Sequence, residues 1–288
     1  MNILNEIFDA VYCINLDRRT DRWDTFKDTW ITQLGTEVDR FSAWDAKTMG
    51  IPFDKGDYKE DESHSAGSVA CSLSHCAVMR EALNAGHDEV LIFEDDAVPI
   101  NTETFLEEFE RYYHALPPDY WFAYAGTYHR VGPIKINERI GRCIGATGMH
   151  CYMIKPKESA WIIGECLKHL KEYVQDELIS VWHWISNKNF YSFEPMLVIQ
   201  REGYSDLLMK DVDYGCVGTW ATDDAPLAKA FGITRCDSGG TYTATQNPSE
   251  KVIVELVRNH LEGAPSHSID NDMVEYLKRV LYPNRTQQ

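Results

Sequence analysis

Four bulky apolar residues, Val90-Leu91-Ile92-Phe93, run directly into three carboxylates, Glu94-Asp95-Asp96. The apolar run suits a strand buried on both faces. Acids at the carboxyl end of such a strand lie at the rim of an α/β sheet, where ligands bind. Adjacent carboxylates repel: two charges about 4 Å apart at an effective dielectric near 20 cost roughly 4 kcal/mol. A divalent cation relieves that repulsion, and oxygen ligands suit Mn2+ or Mg2+. The segment therefore reads as a metal site with Asp96 as ligand, set against a solvated acid that precedes a helix. Strand alternation puts Glu94 and Asp96 on one side and Asp95 on the other.

A chain of 288 residues is long enough for one large domain or two smaller ones. Its formal net charge of −17 argues against a nucleic-acid surface, which needs Lys and Arg to neutralise phosphates. The eight cysteines form no CxxC pair and mostly sit in apolar segments, as reduced, buried thiols do. The segment Met1–Glu6 lacks a charged n-region and an apolar h-region, so no signal peptide is expected, and no apolar run approaches the roughly 20 residues of a membrane span. A cytoplasmic chain is the expectation.

Ala10–Leu16 reads as a first buried strand. Trp23, Phe26, Trp30 and Leu34 recur at steps of three and four and predict a helix that Gly35 stops. Residues 38–44 read as a second strand and 50–65 as a loop. Gly67 to Gly86 predicts a long helix, with Val69, Leu73, Cys76, Met79 and Leu83 on its inner face. Asn101 or Thr102 caps the next helix, which Pro117-Pro118 end. Residues 120–125, 148–154 and 196–199 are further strand candidates. Helices are expected from Pro156 and from about Asp176 to Ser186. This alternation of strands and helices argues for an α/β sandwich with a mixed, mostly parallel sheet. The pattern fades near Gly215. Two amphipathic helices, one with Ile253 and Leu256 and one with Met273 and Leu277, are expected beyond it. The division is thus residues 1–215 for the main domain and 216–288 for a C-terminal helical extension. No GxGxxG after a strand, GxxxxGK[ST] or HExxH occurs.

Three segments line up: Asn15-Leu16-Asp17-Arg18-Arg19-Thr20-Asp21-Arg22, then Gly67-Ser68-Val69-Ala70-Cys71-Ser72-Leu73-Ser74-His75, then Phe93-Glu94-Asp95-Asp96. Together they resemble glycosyltransferase family 25, which includes bacterial lipooligosaccharide transferases and procollagen galactosyltransferases. The Tyr152 strand, Asp176, Glu194-Pro195, Gln200 and Ser205-Asp206 are similar to later segments of the family, so the likeness spans roughly residues 8–210.

The resemblance implies a GT-A (Rossmann-like) three-layer sandwich, a UDP-sugar donor, a divalent metal and inversion at the anomeric carbon. It places Ser74 and His75 in the site and Ala43 and Asp45 near the base and ribose; on the acid strand, alternation favours Asp96 on the metal, Glu94 near the metal or a ribose, and Asp95 among the donor-binding residues. Leu16 adjoins Asn15, a polar strand end at the nucleotide rim. Arg18, Arg19 and Arg22 grip phosphates, anchor a loop through bidentate pairs, or form a solvated turn with Asp17 and Asp21. Asp176 is the first choice for the base that deprotonates the acceptor hydroxyl, and Asp206 the second; a helix N-cap is the bland alternative for either. His129 and His150 are weaker candidates for a further metal ligand. Asp211-Val212-Asp213 follows no apolar strand and reads as a surface pair. The acceptor is a glycan or hydroxylysine. A non-catalytic sugar-nucleotide or carbohydrate binding protein, or a metal-dependent phosphohydrolase, are the competing readings.

Overall fold

The computed structural model describes residues 2–48, 66–129, 132–168, 175–186, 189–205, 210–212, 233–235 and 242–244. The first strand, β1 (Ala10–Asn15), is buried along its whole length. A short helix, α1 (Ile3–Ile7), precedes it, capped by the Asn2 side chain, which accepts from the Leu4 and Asn5 amides. After β1, helix α2 (Thr20–Phe26) continues as a π-helical stretch over Lys27–Gln33. Its expected inner face is present: Phe26, Trp30 and Leu34 are buried. The Leu34 amide donates to the Thr29 carbonyl at 3.1 Å, a wider turn that keeps residues four apart in line. Gly35 ends the helix with a left-handed φ of 67°.

The chain continues through β2 (Asp39–Ser42), α3 (Ala66–Ala85), β3 (Val90–Glu94), β4 (Ala97–Pro99) and α4 (Phe105–Tyr113). Then come β5 (Phe122–His129), β6 (Ile134–Lys135), β7 (Ile140–Arg142), β8 (Ala146–Ile154), α5 (Pro156–Lys168) and α6 (Gln175–Ser186). It closes with β9 (Phe190–Phe193), β10 (Val198–Gln200), β11 (Gly203–Ser205) and β12 (Lys210–Val212). An eight-stranded sheet has the order β2-β1-β3-β8-β5-β9-β7-β6. β1 runs parallel to β2 and β3, and β5 to β9, while the β3–β8, β5–β8, β7–β9 and β6–β7 pairs are antiparallel. All its strands but β7 and β8 therefore point one way, as expected of a mixed, mostly parallel sheet.

The sheet is the middle of three layers. Val11 and Cys13 of β1, with Leu91 and Phe93 of β3, face a cluster that includes Leu4, Phe26, Trp30, Phe105 and Phe109. Ala10, Tyr12 and Ile14, with Val90 and Ile92, face Val78 and Met79 of α3, Ile162 of α5 and Trp182 of α6. Burial on both sides explains why these strands are continuous apolar runs. Each fully buried Trp, Phe or Leu contributes about 1.5–3 kcal/mol. Trp30 also donates its indole N–H to the Ala97 carbonyl at 2.8 Å, pinning the turn that carries the acids.

Several elements differ from the sequence reading. Helix α4 starts at Phe105, because Asn101 uses its side chain to accept from the Glu103 and Thr104 amides in a turn. The strand expected over 196–199 is outside the main sheet: β10 pairs antiparallel with β4. β7 and β9 are too short for their sequences to show a strand period. The 50–65 loop, Asp206, Asp213 and the helices expected near Ile253 and Met273 lie outside the described residues. Within 216–288 the structure describes a hairpin pairing Ile233–Arg235 with Tyr242–Ala244.

Gly126 sits at a register shift between β5 and β8. A Cβ there would wedge against both His150 Nε2 and the Val198 carbonyl, which are hydrogen-bonded at 3.1 Å. Gly126→Ala therefore has to push β10 away. A loss of about 1–3 kcal/mol of stability is expected, read as a lowered urea midpoint; an unchanged midpoint would contradict this account of the β5–β10 contact.

Candidate active site

β1 and β3 are parallel neighbours, with Ile14 opposite Glu94. From β1 the chain crosses through α2 to β2 on one side, then through α3 to β3 on the other. The two crossovers cover opposite faces of the sheet. Strand order reverses here, and the crevice outside the carboxyl ends of β1 and β3 is where such sheets bind ligands.

Asn15 ends β1 and is 1% exposed. Its amide donates to Asp95 Oδ2 at 2.7 Å and to the Arg19 carbonyl at 3.1 Å, and its oxygen accepts from Arg40 Nε at 2.8 Å. Arg22 reaches in from α2: Nη1 donates to Asp95 Oδ1 at 2.7 Å and Asp96 Oδ2 at 3.2 Å, and Nη2 to the Tyr204 carbonyl at 2.8 Å. On the other side, Gln200 Nε2 lies 3.2 Å from Glu94 Oε2 and 3.4 Å from Asp96 Oδ1. Gln200 thus links Glu94 to Asp96 and Arg22 links Asp96 to Asp95, because β3 ends at Glu94 and the next two acids lie in a turn rather than on alternate faces of the strand.

The electrostatics follow from this crowding. Burial, then the charges of Glu94 and Asp95, push Asp96 up to about 7 against the pull of Arg22. Burial also raises Asp95, although Arg22 and Asn15 oppose it. Burial works on Glu94 in the same sense, but the hydrogen bond and charge of His75, with the charges of His150 and Arg22, together hold Glu94 below its ordinary value. Three carboxylates thus crowd together, and the Arg22 guanidinium bonds two of them. An oxygen-rich cluster with surplus negative charge fits a hard divalent cation such as Mn2+ or Mg2+.

Helix α3 supplies the far wall. His75 is 2% exposed, with Nδ1 2.9 Å from the Tyr152 hydroxyl and Nε2 3.2 Å from Glu94 Oε1. Ser74 instead donates to the Ala70 carbonyl at 2.8 Å and accepts from the Trp44 amide at 2.9 Å, so it ties α3 to the segment after β2. The Ala43 amide donates to the Asn15 carbonyl at 2.9 Å, which extends the β1–β2 pairing past Ser42. Arg18 and Asp45 pair at 2.7 Å on the exposed rim, and Arg19 makes a two-point pair with Asp21. Leu16 is half-buried beside Asn15. Among the three arginines, Arg22 is the one bonded to the acid cluster.

Asp176 lies in the first turn of α6, where Oδ2 accepts from the Gly148 amide at 2.9 Å. Its charge is close enough to help raise the Cys71 thiol, behind the larger effects of burial and Glu94. His150 bonds the Val198 carbonyl and His129 bonds Glu194 at 2.7 Å. Asp211 is exposed in the β11–β12 hairpin. Gln200, Arg40, Tyr152 and Cys71 carried no assigned role in the sequence. Gln200 gave the same sign as Asn15, a polar residue ending an apolar run. Arg201 follows it, donating its amide to the Asp96 carbonyl at 2.7 Å; burial lowers its guanidinium below the ordinary value, and the charges of Asp96 and Asp95 oppose this only in part.

The fold and this rim define a Rossmann-like α/β sandwich with an acidic ligand crevice at its switch point. Residues 8–132 match the family model described as Glycosyltransferase family 25 (LPS biosynthesis protein), so the resemblance read from the motifs is borne out over that segment. No curated protein sequence matches the chain. Among solved structures, a glycosyltransferase involved in the glycosylation of the major capsid of PBCV-1 is similar at 11% identity and a TM-score of 0.34, over 57% of this chain and 66% of that one. Mannose-1-phosphate geranyltransferase from Thermus thermophilus is similar at 12% identity and a TM-score of 0.35, over 64% of this chain and 72% of that one. No helix among the described residues is long and apolar enough to cross a membrane.

Proposed function

We propose that the chain is a metal-dependent inverting glycosyltransferase. It moves a hexose, galactose or glucose, from a UDP-sugar to a hydroxyl of a glycan or hydroxylysine acceptor. The family match over residues 8–132 supports the class. The observation that carries the mechanism is the buried Glu94-Asp95-Asp96 cluster at the strand-order reversal, with Arg22 bonded to two of its three members.

Asp96 and Glu94 are the residues to hold Mn2+ or Mg2+. Bound there, the ion supplies charge neutralisation for the diphosphate of the departing nucleotide. Asn15 and Arg22 do the positioning: they fix Asp95 and one oxygen of Asp96, so the acids keep one arrangement. Gln200 fixes the other side through Glu94 and Asp96. Inversion needs a base facing the sugar opposite the leaving group, as a carboxylate does in inverting glycosidases. Asp176 is the first choice, since the Gly148 amide orients its carboxylate; Asp206 is the second.

A screen of UDP-sugars with and without Mn2+ tests this. Mn2+-dependent release of UDP from one or few of them is expected. UDP binding by calorimetry with neither hydrolysis nor transfer of any sugar would instead mark a binding protein, and release of inorganic phosphate a phosphohydrolase.

A further inference from the structure

One cluster beside the acid crevice has a different donor chemistry. Cys71 and His75 stand one turn apart on α3, an i,i+4 pair on a common face. Glu94, at the end of β3, meets them. A sulfur, a ring nitrogen and a carboxylate oxygen from the three lie within 4.8 Å of one another. The His75 Nε2 to Glu94 Oε1 edge is already 3.2 Å. Zinc bonds of about 2.3 Å to sulfur and about 2.0–2.2 Å to nitrogen and oxygen place tetrahedral donor atoms roughly 3.3–3.7 Å apart. Closing the cluster to that geometry requires the widest separation to shrink by about 1.1–1.5 Å at most.

The outer partners are also in place. The Tyr152 hydroxyl touches His75 Nδ1 at 2.9 Å, and Gln200 holds Glu94 Oε2 at 3.2 Å. A ligating histidine commonly has its other ring nitrogen fixed in this way, and ligating carboxylates are hydrogen-bonded in turn. Softness separates this set from the neighbouring one. Thiolate and imidazole select Zn2+ or Co2+, whereas carboxylates alone suit Mg2+ or Mn2+.

We propose that Cys71, His75 and Glu94 form a distinct site for a thiophilic divalent cation such as Zn2+, sharing Glu94 with the acid cluster. Binding releases the Cys71 thiol proton to solvent. His75 keeps one proton, on Nδ1, where the Tyr152 oxygen accepts it, so Nε2 is free to ligate. Three protein ligands leave a fourth tetrahedral position for water. Because one oxygen of Glu94 is taken, Zn2+ here opposes the use of Glu94 by Mn2+; this last consequence rests on the proposed sugar transfer, whereas the site itself does not.

Cobalt reads the site without any activity assay. Co2+ is titrated into the full metal-free chain, and the thiolate-to-cobalt charge-transfer band and the visible bands of a tetrahedral ion are followed. Both are expected to saturate at one equivalent, to be displaced by Zn2+, and to vanish in Cys71→Ser and in Cys71→Ala, either of which suffices if the other fails to fold. No such band in the folded wild-type chain, or a band that persists without the Cys71 thiol, overturns the proposal. A chain that shows the band yet transfers no sugar keeps this site and loses the proposed function; a chain that transfers with Mn2+ and shows no band does the reverse.

Discussion

Asp96→Asn is expected to lower Mn2+-dependent UDP-sugar turnover by at least about 10²–10³-fold, the scale for losing one preorganised electrostatic group. The same change is expected to raise the stability of the metal-free protein at pH 8. Both effects have one cause. Asp96 is buried beside Glu94 and Asp95 and holds its proton up to about 7. An unfolded aspartate releases its proton near about 3.9. The native state therefore binds more protons between those values, and stability falls as pH rises from about 4 to about 7. At higher pH the charged Asp96 costs the metal-free fold at most roughly 4 kcal/mol. Asparagine removes that charge and the cost with it. Urea midpoints of wild type and variant, compared at pH 5 and pH 8 in chelator, check this: the variant should gain at pH 8 and not at pH 5. Mn2+ should raise the wild-type midpoint and leave the variant's nearly unmoved. Full turnover by Asp96→Asn would remove Asp96 from the metal.

The second large effect is expected from Arg22→Met. Arg22 is bonded to Asp95, Asp96 and the Tyr204 carbonyl, and its side chain is 18% exposed. Methionine keeps much of the apolar stem but leaves the carboxylates without their bonded cation. Breaking a buried pair by removing one partner costs about 3–5 kcal/mol. The loss should be largest at pH 8, where the acids are charged, and shrink toward pH 5 as Asp96 takes up a proton. Mn2+ should recover part of it by replacing the missing positive charge. Denaturation curves at the two pH values, with and without Mn2+, decide the matter. A loss that is equal at both would mean that Arg22 acts by packing alone.

The contrast between Arg22 and its neighbours shows what was legible. The Asn15-to-Arg22 motif marked three arginines beside a strand end, and phosphate contact and loop anchoring were equally compatible with it. Arg22 meets Asp95 and Asp96, Arg18 meets Asp45, and Arg19 meets Asp21. Arg19 thus keeps the local partner that the segment itself offers, whereas Arg18 and Arg22 meet aspartates 27 and 73–74 residues away, which only the fold brings within reach. Ser74 makes the same point: its family motif suggested a site role, but its hydroxyl joins α3 to the segment after β2. Gln200 lies 106 residues from Glu94, and no local pattern reports that approach.

The sequence by itself determined the local geometry. A strand of Val, Leu, Ile and Phe has to be buried on both faces, and the i,i+4 spacing puts Cys71 and His75 on one helical face. The tertiary structure alone decided what those faces meet. The 2-1-3 strand order brings Asn15 beside Asp95, the α2 crossover delivers Arg22 to the acids, and the departure of β10 from the main sheet carries Gln200 to them. Such contacts are set by how whole elements dock, and docking depends on the summed packing of residues far apart in the chain.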